Sequence, residues 1–142
     1  MSESKSAHKN KAVYRRFIQG LFNEGRLDRL NDLVHPDYVL HNPPPGAPSG
    51  PAAIKYAVSM FQEGFPDLEI TLDELIAEED LLAARSTFRG THKGTIFGIA
   101  PTGTPVTMPG LTMVRVSEGR ISESWVRNDI LGLMNQIKPE FP

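Results

Sequence analysis

A single carboxylate, Asp129, stands where a strand pattern gives way to a helix pattern near the end of the chain. Residues 121–129 alternate in character, so Trp125, Arg127 and Asp129 share one face if this segment is a strand. Burial beside an aromatic side chain would suit such a carboxyl group to general acid–base work. An Asp directly before a helix is equally a favoured N-cap, so both roles remain open and they can coexist. Pairing with Arg127 would instead hold the carboxylate ionised.

Two histidines are further candidates for polar chemistry. His92 ends a predicted strand, and Gly90 two residues earlier permits the close approach of another backbone. A neutral imidazole there could donate a hydrogen bond to a substrate carbonyl or carry a proton, although a satisfied structural His is the ordinary alternative. His41 has the same standing, between an extended segment and the proline-rich residues 42–48. The chain has no HxH or HExxH spacing, so we predict no metal site from His41, His92 and Asp129.

The composition excludes several classes of protein. The chain has 142 residues, a formal net charge of -2, no cysteine and no run of basic residues. A nucleic-acid partner normally needs a Lys/Arg-rich face, and a membrane-spanning helix needs about 20 apolar residues, so we predict neither. Disulfides, thiolate catalysis and Cys-ligated zinc are impossible in a chain without cysteine. We expect a cytoplasmic protein with a disordered tail over residues 1–9 and a single domain over residues 10–142.

Hydrophobic spacing assigns the elements that must position these side chains. Apolar stripes at helical spacing predict three N-terminal helices and one closing helix, over residues 10–23, 27–34, 51–64 and 130–137. Alternation between turn signals predicts four antiparallel strands, over residues 68–77, 81–92, 106–116 and 119–129, with a short extended piece at 37–41. Helices first and strands afterwards indicate an α+β fold, with the helices on the concave side of a curved antiparallel sheet. A cavity between the two layers is the natural place for a ligand.

Several short runs, taken together in their order and spacing, resemble one known family. They are Phe65-Pro66-Asp67-Leu68, Gly90-Thr91-His92-Lys93-Gly94, Phe97-Gly98-Ile99, Pro101-Thr102-Gly103, and Gly119-Arg120-Ile121-Ser122-Glu123-Ser124-Trp125 followed by Asp129. The set resembles the SnoaL-like polyketide (ester) cyclases of the NTF2-like superfamily, from about residue 10 to residue 136. The resemblance implies a cone-shaped α+β barrel with an internal cavity, assembled as a homodimer or homotetramer through the sheet.

The resemblance also implies a chemistry. Asp129 matches the aspartate that closes a ring by intramolecular aldol condensation in this family, without a metal or a cofactor. A carboxylate would remove a proton next to a carbonyl, and a neighbouring donor, here His92, would stabilise the enolate. The implied ligand is a small hydrophobic or aromatic, polyketide-like molecule. Four side chains are expected to bind it: His41, Phe61, Arg115 and Trp125.

A different class of function uses the same fold. A cone of this kind can bind a small molecule without transforming it. Filling of the cavity by Phe61, Phe88 and Trp125, or an ion pair between Arg127 and Asp129, would favour the non-catalytic alternative. An open pocket that exposes Asp129 and His92 would favour the enzyme.

Overall fold

The computed structural model describes residues 3–138 and divides them into four α-helices and five strands. The helices are α1 (Lys5–Arg16), α2 (Leu30–Leu33), α3 (Ala52–Gly64) and α4 (Ile130–Ile137). The strands are β1 (Val34–Leu40), β2 (Glu69–Glu78), β3 (Leu81–Thr91), β4 (Pro105–Ser117) and β5 (Arg120–Asn128). The predicted α+β class is confirmed, because helices and strands are segregated along the chain as their periodicities indicated.

The sheet contains one strand more than the sequence pattern predicted. Its order is β1-β5-β4-β3-β2, and β2 to β5 form antiparallel neighbours as expected. The extended piece after α2 is a full edge strand, β1, which pairs in parallel with β5 and makes the sheet mixed. Pro36 lies inside β1, where the register shifts between Val34 and Val39. A proline lacks the N–H that an interior strand needs, and an edge position tolerates this loss.

The first helix begins earlier than predicted. Ser4 caps α1, and its hydroxyl accepts a hydrogen bond from the amide of Ala7 at 3.1 Å. Ala7 is buried against the rest of the chain. The predicted disordered tail over residues 1–9 therefore needs correction, because residues 5–9 are helical; Met1 and Ser2 lie outside the described residues. The cap and one buried side chain are enough to extend the helix beyond its clear apolar stripe.

The two faces of the sheet differ in burial. Leu82, Val114 and Ser124 form a buried row across β3, β4 and β5, and helices pack on this inner face. The opposite, outer face carries three exposed apolar side chains, which are Leu111 and Met113 on β4 and Ile76 on the edge strand β2. None of the helices within residues 3–138 combines the length and apolar character needed to cross a bilayer. The division into two faces decides which candidate residues can form one site.

Candidate active site

Asp129 lies directly after β5, at the first residue before α4. Its carboxylate accepts a hydrogen bond from the amide of Gly132 at 2.9 Å, and its own amide donates to the carbonyl of Pro109 at 3.1 Å. The side chain is exposed and caps α4. The predicted alternative of an Arg127 partner is not realised, because the Arg127 guanidinium donates to the Val126 carbonyl and forms no ion pair with any residue from 3 to 138. The second carboxylate oxygen, Oδ2, also lies over Gly132, where a side chain at position 132 would collide with it.

His92 is held in a different place. Its ring is fully buried and lies 5.8 Å from the ring of Phe65. Nδ1 accepts a hydrogen bond from the Thr102 amide and shares another with the Thr102 hydroxyl at 2.9 Å. The backbone of His92 is bonded to Thr104, whereas the amide of Asp129 is bonded to Pro109. Five residues of extended chain separate those two anchors, or roughly 16 Å. The structure thus does not bring His92 into contact with Asp129.

The outer face holds three of the four residues predicted to bind ligand. His41 stacks on Trp125 with ring centroids 4.4 Å apart and planes 9° apart. Arg115 donates to Asp80 at 2.9 Å and to Glu123 at 3.1 Å. Trp125 and Arg115 line a groove of about 770 Å³ on this face.

Strand parity explains why Trp125 lies on the outer face and apart from Asp129. Trp125 pairs with Met113 on the outer face, and the inner positions of β5 are Ser124 and Val126. Asp129 follows the last ladder residue, so the helix cap sets its direction and the alternation that links it to Trp125 no longer applies. Sequence parity therefore grouped side chains that the turn into α4 separates.

Phe61 is the one predicted ligand-binding residue on the inner side. It lies on α3, with its ring 5.4 Å from that of Phe88 and 6.5 Å from that of Phe97. Phe65 adds an edge-on contact to Phe88 at 5.2 Å. These aromatic rings form a layer between α3 and the sheet. Two of the three residues whose packing would favour the non-catalytic alternative, Phe61 and Phe88, belong to it, whereas Trp125 lies on the outer face.

Comparison with known proteins identifies the family. The model of the family described as SnoaL-like polyketide cyclase matches residues 12–137. The chain belongs to this family. Nogalonic acid methyl ester cyclase from Streptomyces nogalater is 29% identical over 126 residues, which cover 85% of this chain and 92% of that protein. Aklanonic acid methyl ester cyclase DnrD from Streptomyces peucetius is 27% identical over 137 residues, covering 92% of this chain and 91% of that protein.

A solved structure supports the same assignment. IdmH from Streptomyces antibioticus, a proposed polyketide cyclase, has a TM-score of 0.79 and 34% identity, covering 91% of this chain and 98% of that one. The predicted resemblance to SnoaL-like cyclases is confirmed, and with it the NTF2-like α+β fold.

Sequence reasoning missed a set of hydroxyl groups on the inner side of this SnoaL-like domain. Tyr14 and Tyr38 are buried, and the side chains of Thr112 and Ser124 lie beside them on the sheet. Burial raises the pKa of Tyr38 to about 12, and the Ser124 hydroxyl acts in the opposite direction. The Tyr38 hydroxyl nevertheless has no hydrogen-bond partner of normal geometry within residues 3–138. Tyrosine at helical or strand spacing resembles ordinary core, so only the packed structure reveals this polar group.

No metal site arises from the predicted His and Asp positions. Across residues 3–138, no group of three or more His, Cys, Asp or Glu side chains is placed to hold a metal ion.

Thr102 provides a test of the His92 assignment. Replacing Thr102 with Val is expected to lower the free energy of unfolding by about 1 kcal/mol, because the buried imidazole loses one hydrogen bond. Urea unfolding measures this change, and turnover should stay near that of the wild type. Thr104→Val is the matched control, since it removes only the bond between the two threonine hydroxyls. A large loss of turnover with unchanged stability would place His92 in the chemistry instead.

Proposed function

We propose that this SnoaL-like protein closes a ring in an aromatic polyketide methyl ester by intramolecular aldol condensation, with Asp129 as the general acid and base. The observation that carries the proposal is the placement of Asp129. Its side chain is solvent-accessible and is not paired with Arg127, and its amide is hydrogen-bonded to the carbonyl of Pro109 on β4. Two curated relatives are named as cyclases of nogalonic acid methyl ester and aklanonic acid methyl ester. The substrate class follows from those relatives.

The proposed reaction needs only proton transfer. The Asp129 carboxylate takes a proton from the carbon next to a carbonyl, and the electron pair of that C–H bond forms the enolate. The enolate carbon attacks a second carbonyl carbon of the same molecule, so one C–C bond forms and the second oxygen becomes an alkoxide. The Asp129 carboxylic acid returns its proton to this alkoxide, which restores the starting carboxylate. No electron acceptor or donor takes part, and the product is an isomer of the substrate.

A non-catalytic binding function is the second candidate. The aromatic layer of Phe61, Phe65 and Phe88 favours it, because these rings occupy space between α3 and the sheet that a substrate would need. A binder would use the same apolar surface and the buried hydroxyls without proton transfer. The two candidates therefore differ in what happens to a bound ligand and share the location of the site.

A turnover assay separates these candidates. The purified protein is incubated with nogalonic acid methyl ester or aklanonic acid methyl ester, and chromatography with mass spectrometry follows a product of unchanged mass. Thermal shift measured in parallel reports binding, since a ligand at 100 times its Kd stabilises the folded state by about 2.7 kcal/mol. Cyclised product supports the enzyme. Stabilisation without conversion supports the binder. If the esters are neither converted nor stabilise the protein, both candidates are overturned.

The outer face of the sheet supports a proposal on assembly. Ile76 and Leu111 are 67% and 60% exposed and lie in the groove that Trp125 borders. An apolar patch of this kind on a sheet typically marks an interface between protein chains. We further propose a homodimer through this face, with a homotetramer as the larger alternative. The cytoplasmic location remains a prediction, with which the cysteine-free composition is consistent.

Leu111→Asp tests the assembly. We expect the variant to be monomeric at concentrations where the wild type is dimeric, because two charges would be buried against each other across a twofold axis. Light scattering after size-exclusion chromatography gives the mass. Leu131→Asp is the control, since Leu131 is 54% exposed on α4 and does not line the outer-face groove. A wild-type monomer, or a dimer that Leu111→Asp leaves intact, contradicts the proposed interface.

A further inference from the structure

Three residues form a row across the inner face beside Asp129. In the register of the sheet, Gly110 of β4 pairs with Asn128 of β5 on one side and with Ser86 of β3 on the other. This row shares its parity with the buried inner rows of the sheet, and Gly110 itself is buried. Asn128 is the last residue of β5 and the neighbour of Asp129. The row therefore lies at the end of the inner face where the proposed acid and base stands.

Gly110 leaves room for the Asn128 carboxamide to lie over the sheet. A Cβ atom at position 110 would stand 2.3 Å from the Asn128 side-chain oxygen and 3.4 Å from the Ser86 hydroxyl oxygen. Side chains of Asn128 and Ser86 consequently converge above the same glycine, on the helix-facing side. Any other residue at position 110 would have to displace the carboxamide, since no real Cβ contact is that short. Two polar side chains therefore stand over the same glycine.

The carboxamide of Asn128 has no hydrogen-bonding role within residues 3–138. It forms no hydrogen bond with any residue from 3 to 138, and neither does the hydroxyl of Ser86. Asn42 shows the contrast at the other edge of β5, because its carboxamide bonds both the N–H and the C=O of Val126. A structural asparagine in this sheet is thus fully engaged with the backbone. Asn128 keeps its donor and its acceptor available to a ligand.

We propose that Asn128 is a substrate-binding residue, and that its carboxamide N–H donates to the carbonyl oxygen whose neighbouring carbon loses a proton to Asp129. This inference rests on the proposed cyclisation. Negative charge develops on that oxygen as the enolate forms, and a donor placed beforehand stabilises the charge. Ser86 supplies a second donor on the far side of Gly110. The pair takes the role that the sequence assigned to His92, which is buried elsewhere.

Three variants test the role of Asn128. Asn128→Ala removes the donor and should lower kcat roughly 10- to 100-fold with a smaller change in KM, as expected for an interaction that strengthens in the transition state. Asn128→Asp keeps the shape but places a second carboxylate beside Asp129. It should move the acidic limb of the pH–rate profile upward by about one pH unit, because neighbouring carboxylates disfavour each other's ionisation. Gly110→Ala should resemble Asn128→Ala, because it displaces the carboxamide.

The control is Thr87→Ala, on the same strand as Ser86 but on the outer face. Thr87 donates to Asp73 there, and its loss should leave kcat within about twofold of the wild type. Melting temperatures of all variants, measured by circular dichroism, report whether each remains folded at the assay temperature. Asn128→Asp, which is nearly isosteric, retains a readout if the alanine variant unfolds.

The outcomes separate this inference from the proposed function. If Asp129→Asn is inactive but Asn128→Ala and Asn128→Asp match the wild type in kcat and pH profile, Asn128 is not in the site and the cyclisation stands. If the wild type converts neither ester, the cyclisation fails, and binding of 1,8-dihydroxyanthraquinone becomes the measure. At least tenfold weaker binding to Asn128→Ala than to the wild type then supports Asn128 as a ligand-binding residue. Equal binding, or none to the wild type, overturns it.

Discussion

Asp129→Asn is expected to lower kcat by roughly 10²- to 10⁴-fold while the melting temperature stays close to that of the wild type. Asparagine is as good an N-cap as aspartate, and its side-chain oxygen can still accept the hydrogen bond from Gly132. What the substitution removes is the group that accepts and returns a proton. Steady-state turnover of the ester and thermal unfolding, measured on the same preparations, give both quantities.

Two further substitutions separate the cap from the catalyst. Asp129→Ser also keeps a good cap without a carboxylate, so it should be stable and inactive. Asp129→Ala loses both functions, and its free energy of unfolding should fall by about 1 kcal/mol. An Asp129→Asn variant with normal turnover would show that the residue serves α4 alone, and the binding function would then be favoured.

Phe65→Ala is expected to lower the free energy of unfolding by about 3–5 kcal/mol. Phe65 is fully buried and contacts Phe88 edge-on at 5.2 Å. A Cβ atom at Gly90 would stand 2.9 Å from the Cβ of Phe65, so the Phe65 side chain fits against β3 only because position 90 has no side chain. No neighbouring side chain can fill the resulting cavity from that direction. Urea unfolding followed by Trp125 fluorescence measures the loss.

Phe97 supplies the matched control for Phe65. It belongs to the same aromatic region but is 37% exposed, and its contact with Phe61 is more distant at 6.5 Å. The backbone of Phe97 has a φ of 52°, which is strained for phenylalanine and for alanine alike. This backbone strain should therefore cancel when Phe97→Ala is compared with the wild type. We expect a loss below about 1.5 kcal/mol. Equal losses for the two alanine variants would mean that Phe65 does not organise this part of the core.

Local pattern was sufficient for most of the fold. The four antiparallel strands followed from apolar residues that recur with a period of two, and the closing helix followed from the change of that period to 3.6 after Asp129. These periods reflect the backbone geometry near each residue. Turn residues set their limits in the same way: Gly119 adopts a φ of 75° between β4 and β5. Such signals are local, and no partner is needed to interpret them. The family resemblance also came from short runs at fixed spacing.

The candidate site depended on more than local pattern. Alternation correctly placed Trp125 on one face of β5, but it could not say that this face is the outer one, because both faces carry apolar residues. It also extended the same parity to Asp129, where the chain has already left the ladder to begin α4. The parallel pairing of β1 joins residues more than 80 positions apart, beyond any periodic signal.

The sequence by itself determined most of the elements, their order and the family, and it singled out Asp129 as a candidate, because those depend on spacing along the chain. Only the tertiary structure decided which side chains share a site. It placed Trp125, His41 and Arg115 on the outer face, buried His92 against Phe65, and brought Asn128 over Gly110 beside Asp129. The physical reason is that two things decide which side chains meet in a site: the face of the sheet that the helices cover, and the strand pairing that brings distant residues together. Both depend on contacts between residues far apart in the chain, which local spacing does not specify.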